Sequence, residues 1–338
     1  MKQLFYGFLI VVLWSCSKEQ VHEKSFYHWK SNFDLSDFET SYLDTLNVKK
    51  VYLRFFDVKW ITDQNGTFPI AQLKVNDSID KDLEIVPVVY ITNESLQKIS
   101  IKNVFDLAQN VAVQIQQLAK DNNIPFTKIK EVQFDCDWSE TTRAKYFEFL
   151  NAIRKGFNRS DLKLSATIRL HQVKYAKRTG TPPVDQGVLM FYNMGKLTDV
   201  STINSILDLE TAKKYLYNFD EYDLNFDVAL PLFSWGVQFR KGKVVQLLNN
   251  LSESDLEENA DLVQQENNYF EVKKSTYIND QYVYKGDQIR FESVQSAQLK
   301  KASQMLDEVM KDSNYNLIFY HLDEKVLSSY SPQFLKSL

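Results

Sequence analysis

The chain has 338 residues, 44% of them apolar and 25% charged, which is enough for one large core or two ordinary domains. Its formal charge of −4 argues against a nucleic-acid partner, which would need clustered Lys and Arg. With 9 glycines and neither a G-x-G-x-x-G nor a Walker pattern, no phosphate-cradling loop is expected, and nothing in the sequence calls for a cofactor.

The first element in chain order is a targeting segment. Lys2 supplies a positive end and Leu4 to Trp14 an apolar stretch too short to span a bilayer. It ends at Leu13-Trp14-Ser15-Cys16, with an aliphatic residue three positions before the cysteine and a small one just before it. This resembles the lipobox of bacterial lipoproteins. The resemblance implies a signal peptide over residues 1–15 and cleavage before Cys16. It further implies acyl chains, palmitate among them, on the Cys16 sulfur and amine. Several chains on one residue hold a protein firmly to a membrane. The expected location is the cell envelope of a Gram-negative bacterium, at the outer membrane. Residues 16–24, beginning Cys16-Ser-Lys-Glu-Gln20, read as a polar tether.

From residue 25 to 338 the pattern is one domain. Strand-type apolar runs recur at Ser25 to Trp29, Val51 to Val58, Glu84 to Ile91 and Glu131 to Trp138. Four more follow at Lys163 to Leu170, Gly187 to Tyr192, Phe226 to Phe233 and Asn316 to Leu322. Eight near-continuous apolar strands, covered on both faces, are what a closed (β/α)8 TIM barrel requires. Helical periodicity fills the gaps: Val104, Leu107, Val111, Ile115 and Leu118 form one stripe, Tyr146, Phe149 and Ile153 another, and Ala302, Leu306 and Val309 a third.

The rhythm breaks after the seventh strand. Residues 236–293 contain a polar acidic run and then Tyr269 to Phe291, which alternates around a turn at Asn279-Asp280 and reads as a β-hairpin. An insertion on that strand-to-helix loop belongs at the catalytic face of a barrel.

Reacting groups in such barrels come from the C-terminal ends of the strands. Those ends carry His28 and Trp29, Asp57 and Trp60, Asp135 and Asp137, Arg169 and His171, Tyr192 and Asn193, Trp235, then His321 and Asp323. The end of the fourth strand, with Asp135 and Asp137, is the most informative. In Glu131-Val-Gln-Phe-Asp-Cys-Asp-Trp-Ser-Glu140, period-2 alternation puts Asp135 and Asp137 on one face and Val132, Phe134 and Cys136 on the other. Paired acids on a core strand are costly unless hydrogen-bonded or kept for chemistry. Cys136 has no partner if Cys16 is lipidated, so it reads as a buried thiol. His28, His171 and His321 also lie at strand ends, but without metal-ligand spacing, and no metal is assigned.

The segment Phe134-Asp-Cys-Asp-Trp138, with the helix from Tyr146 to Arg154 and the strand that follows it, resembles family 18 glycoside hydrolases and related glycosidase-like barrels. Their signature D-x-x-D-x-D-x-E ends the fourth strand. Asp135 and Asp137 match its second and third acids; Val132 stands at the first and Ser139 at the final glutamate, with Glu140 one residue later. The resemblance implies a glycan ligand. Asp137 or Glu140 would be the general acid and Asp135 the neighbouring carboxylate. Tyr192 would hydrogen-bond an acetamido group, and Trp235, Trp60 and Trp29 would stack on sugar faces. Asp57, Arg169, His171, Asn193 and Asp323 complete the expected rim. Two readings follow: a barrel that cleaves a polysaccharide or amino-sugar glycan, or an inactive barrel that binds a glycan or protein.

Overall fold

The computed structural model describes residues 22–76, 79–80, 82–216, 219–266, 268–310 and 314–338. The expected signal peptide, Cys16 and most of the tether lie outside the described residues. Among those described, no helix is long and apolar enough to cross a membrane.

Eight parallel strands close into a ring: β1 (Lys24–His28), β2 (Lys50–Ile61), β3 (Glu84–Ile91), β4 (Glu131–Asp135), β5 (Lys163–Arg169), β6 (Gln186–Met190), β7 (Phe226–Pro231) and β8 (Leu317–Tyr320). Closure is direct, because β1 pairs with both β2 and β8. The outer layer includes α1 (Asp37–Thr45), α2 (Val104–Asp121), α3 (Arg143–Phe157), α4 (Leu209–Leu216) and α5 (Ser296–Val309). The expected stripes face the barrel: Val104, Leu107, Val111, Ile115 and Leu118 of α2 are all buried.

Alternation on β4 sets up the site. Phe134 points outward, its ring 5.2 Å from Phe149 of α3. Glu131, Gln133 and Asp135 point inward as a polar column. The Tyr27 hydroxyl donates to Gln133 Oε1 at 2.6 Å, the Ser165 hydroxyl to Glu131 at 2.6 Å, and the Thr167 hydroxyl to Asp135 Oδ1 at 2.5 Å. Most polar atoms so buried have such a partner.

Two expectations are corrected. The fourth strand ends at Asp135 rather than Trp138. Trp138 turns back under the helix layer, stacks on Tyr146 at 5.1 Å and donates its indole N–H to the Thr179 carbonyl. Asp137 therefore stands on the loop, not on a strand face. The insertion is also more than a hairpin. A five-stranded antiparallel sheet runs in the order 243–249, 235–240, 288–292, 269–272, 262–264. Its own apolar cluster includes Leu248, Phe270 and Ile289. The hairpin is the smaller piece Thr276–Ile278 with Gln281–Val283, and Asn279 and Asp280 take the positive φ angles (44° and 61°) of a tight turn.

Candidate functional site

The C-terminal ends of the strands surround a cavity of about 470 Å³. The carboxylates of Asp57, Asp135 and Asp137 reach it from β2, β4 and the loop after β4, and Arg54, Arg169 and Lys30 face them. A side chamber of about 280 Å³ opens beyond Arg169 and Tyr192, lined also by His171 and Met194. The aromatic wall is continuous. Phe233 lies 5.2 Å from Trp235, 5.8 Å from Tyr192 and 5.6 Å from Tyr320, and Tyr320 lies 5.6 Å from Trp29.

Each acid of the rim except Asp135 meets a guanidinium or an ammonium. Arg169 donates from Nε to Asp137 Oδ1 at 2.5 Å. Arg54 binds Asp57 through Nε at 2.8 Å and also through Nη2. Arg54 and Asp57 are three residues apart on β2, and in a regular strand they would face opposite sides. The β2–β3 ladder shifts register between Arg54 and Phe56, and this bulge turns both side chains to the mouth. Asp323 caps the helix Glu324–Leu327 and reaches the mouth only through Lys30, whose Nζ lies 2.7 Å from Oδ2.

Asp135 is the exception among the acids. Burial raises its carboxyl to about 6, opposed by Arg169 and reinforced by Asp137. Burial, with Asp135 nearby, pushes the Tyr90 hydroxyl up to about 12. His321 lines the mouth with its pKa lowered to about 4 by burial. Two buried polar atoms here have no protein hydrogen-bond partner, Arg169 Nη1 and His321 Nδ1. Buried polar groups left without a partner beside a cavity mark a polar site kept at a cost.

The structure thus brings Asp57, Asp135, Asp137, Arg169, Tyr192, Asn193, Trp29 and Trp235 to the mouth and His171 to the side chamber. It leaves three expected residues off the cavity: Asp323, which caps the helix Glu324–Leu327, Glu140 and Trp60. Glu140 is exposed on the following loop, where Arg178 Nε donates to it at 3.0 Å, and it does not line the cavity. Trp60 lies past the rim, where β2 outruns the barrel and pairs with Gly66–Ile70; the Lys98 ammonium stands 5.9 Å from its ring. Arg54, Lys30 and Tyr320 were not picked out as site residues from the sequence. Arg54 carried one signal, an Arg inside an otherwise apolar strand run. Among the described residues no three His, Cys, Asp or Glu side chains gather in a metal-binding group.

No family model matches the chain, and no curated protein matches it. Solved structures do. The spore cortex-lytic enzyme SleL of Bacillus cereus superposes with a TM-score of 0.57 at 12% identity, over 95% of this chain and 75% of that one. A GH18 chitinase of Cycas revoluta in complex with (GlcNAc)4 gives 0.55 at 12% identity, over 93% and 98%. The GH18 chitinase ChiB of Flavobacterium johnsoniae gives 0.53 at 11%, over 94% and 93%. At these identities the likeness is one of fold, and this chain has the glycoside hydrolase family 18-like TIM-barrel fold.

Proposed function

We propose that this protein is an envelope lipoprotein, anchored through Cys16, whose barrel mouth holds an amino-sugar glycan without cleaving it. The observation that carries the reading is the state of the acids. Most glycoside cleavage uses two carboxyl groups flanking the scissile bond. Cleavage assisted by the substrate's own acetamido group still needs one carboxyl placed to protonate the leaving oxygen. Here Asp137 is paired with Arg169 and Asp57 with Arg54, Glu140 is turned to Arg178, and Ser139 occupies the place of the expected glutamate. What remains suits binding. An aromatic wall offers apolar ring faces, and Arg169, Asn193, Asn249 and Asn250 line the same cavity with polar groups. The glycan class is taken from the similar structures, one of which is a chitinase holding (GlcNAc)4.

The test pairs calorimetry with product analysis, using short β-linked N-acetylglucosamine oligosaccharides. Binding that weakens in Arg169→Ala, with no new reducing ends from wild type, is the expected result. Turnover by wild type would reject the binding-only reading.

One observation favours turnover as a second reading. A carboxyl with a pKa near 6, such as Asp135, holds a proton that it can donate at mildly acidic pH. Cleavage would then fall as pH rises through 6 and be lost in Asp135→Asn.

A further inference from the structure

We infer that His28 and His321, buried side by side at the mouth, form a latch that keeps one wall of the cavity closed at neutral pH and releases it in acid. The inference concerns the wall alone and does not depend on what the cavity holds. His28 ends β1 and His321 follows β8. The strands pair in parallel with Tyr27 opposite Tyr320, so the two histidines fall at the next position of the register. They are 0% and 7% exposed. Neither ring nitrogen of His28 has a protein hydrogen-bond partner, and Nδ1 of His321 has none. Aromatic rings pack on them instead: Phe33 lies 4.9 Å from His28, edge-on, and Tyr320 lies 5.2 Å from His321.

The charged groups that face the pair are Lys30 and Asp323. The Lys30 ammonium lies 2.7 Å from Asp323 and 3.5 Å from Glu39 of α1. Burial holds His28 down at about 3, and Lys30 and His321 push the same way, against Asp323. Burial likewise holds His321 at about 4, opposed by Asp323 and assisted by Lys30. Slight backbone contacts, of His28 within its own residue and of His321 with Leu322, favour the charged form but do not offset burial. A proton on either ring would place a second cation beside Lys30 in a site shut off from water. A leucine or phenylalanine at either position would fill the space without that penalty.

Acid therefore favours an open form, in which the rings reach water and recover the ordinary value of 6.5. The closed form binds fewer protons, so its advantage is complete above about pH 7 and shrinks as pH falls through about 6 toward 4. What opens is set by the neighbours. His28 and Lys30 flank Trp29, whose carbonyl accepts from Arg54 Nη1 at 3.3 Å and whose ring lies 5.5 Å from the same guanidinium. Trp29, Lys30 and His321 all line the cavity. A charged His321 would compete with Lys30 for Asp323, the cap of the helix Glu324–Leu327. Release would thus draw Trp29 and Lys30 off the mouth and loosen that helix. Asp135 works in the opposite sense, because it takes up its proton in the closed form.

The test is hydrogen exchange by mass spectrometry on the full chain in detergent at pH 7.5 and pH 5, corrected for intrinsic exchange rates. In wild type, peptides covering residues 26–35 and 318–328 are expected to lose protection by about 10²–10³-fold at the lower pH, while α2 and α3 keep theirs. In His28→Gln/His321→Gln, which keeps polar side chains that cannot be charged, the same peptides should change less than about threefold. Each single variant should show about a thirtyfold change. Equal pH dependence in wild type and the double variant overturns the inference. So does loss of protection throughout the barrel at the same pH, which is ordinary acid unfolding. Should the double variant fail to fold, imidazole NMR of wild type decides: both rings are expected to stay neutral in the closed form down to pH 5. Either ring titrating near 6.5 while residues 26–35 remain protected overturns the latch.

Discussion

Trp235 donates its indole N–H to Glu292 Oε2 at 3.0 Å, and that bond joins a ring of the mouth wall to the interior of the inserted sheet. Glu292 also accepts from Arg290 Nε and from the backbone N–H and hydroxyl of Ser205, each at 2.6 Å. Arg290 in turn donates to the carbonyls of Leu197 and Asp199. The loop after β6, the sheet and Trp235 therefore share one buried ion pair, with both side chains fully buried.

Removing one member of such a pair strands the other charge. Glu292→Ala is expected to cost on the order of 3–5 kcal/mol in urea unfolding, and Glu292→Gln less. The tryptophan fluorescence of Glu292→Gln should shift, because the indole loses its charged acceptor. A loss below about 1 kcal/mol for Glu292→Ala would show that the network is not held this way.

Asp135 gives a pH dependence with a definite sign. Its folded value, about 6, lies above the ordinary carboxylate value of 3.8, so the folded state binds the proton more tightly than the unfolded chain. Its ionisation thus costs stability as pH rises from about 4 through 6, and the cost is complete above that range. Asp135→Asn cannot ionise. Relative to wild type it should gain on the order of 2–3 kcal/mol between pH 4 and pH 7.5, measured by urea unfolding at both. A pH-independent difference between the two proteins would refute the buried, protonatable acid.

Glu140 and Arg178 form an exposed pair. Glu140→Gln should therefore change stability by less than about 1 kcal/mol and leave oligosaccharide affinity as it was. A tenfold loss of binding would bring Glu140 back to the site.

On the proposed reading, lipid on Cys16 sets the localisation. Cys16→Ser is expected to abolish incorporation of labelled palmitate and to move the protein from the membrane fraction to the soluble one. Unaltered fractionation would mean that something other than lipid holds it.

The barrel was legible because its signals are local and periodic. The run from Glu84 to Ile91 is apolar throughout, and the spacing of Leu107, Val111 and Ile115 has no reading but a helix face. Asp135 was legible for the same reason, through the parity of β4. The failures occur where parity is interrupted. The chain leaves β4 after Asp135, so counting alternate residues onward to Glu140 lost its meaning. The bulge between Arg54 and Phe56 hid the Arg54–Asp57 pair, and the extension of β2 carried Trp60 past the rim. The inserted sheet escaped because its strands at 262–264 and 269–272 are short and mix apolar with polar residues, and strand neighbours there are not neighbours in sequence.

The way in which β1 begins has a consequence for orientation. His22 lies 3.0 Å from both the Tyr315 carbonyl and Asp307, which fixes the entry of the chain beneath the barrel, at the end opposite the cavity. Cys16 precedes Lys24 by eight residues, a span of at most about 29 Å when fully stretched. With lipid on Cys16, so short a leash would keep the base of the barrel close to the bilayer, and its opening would face outward, away from the lipid.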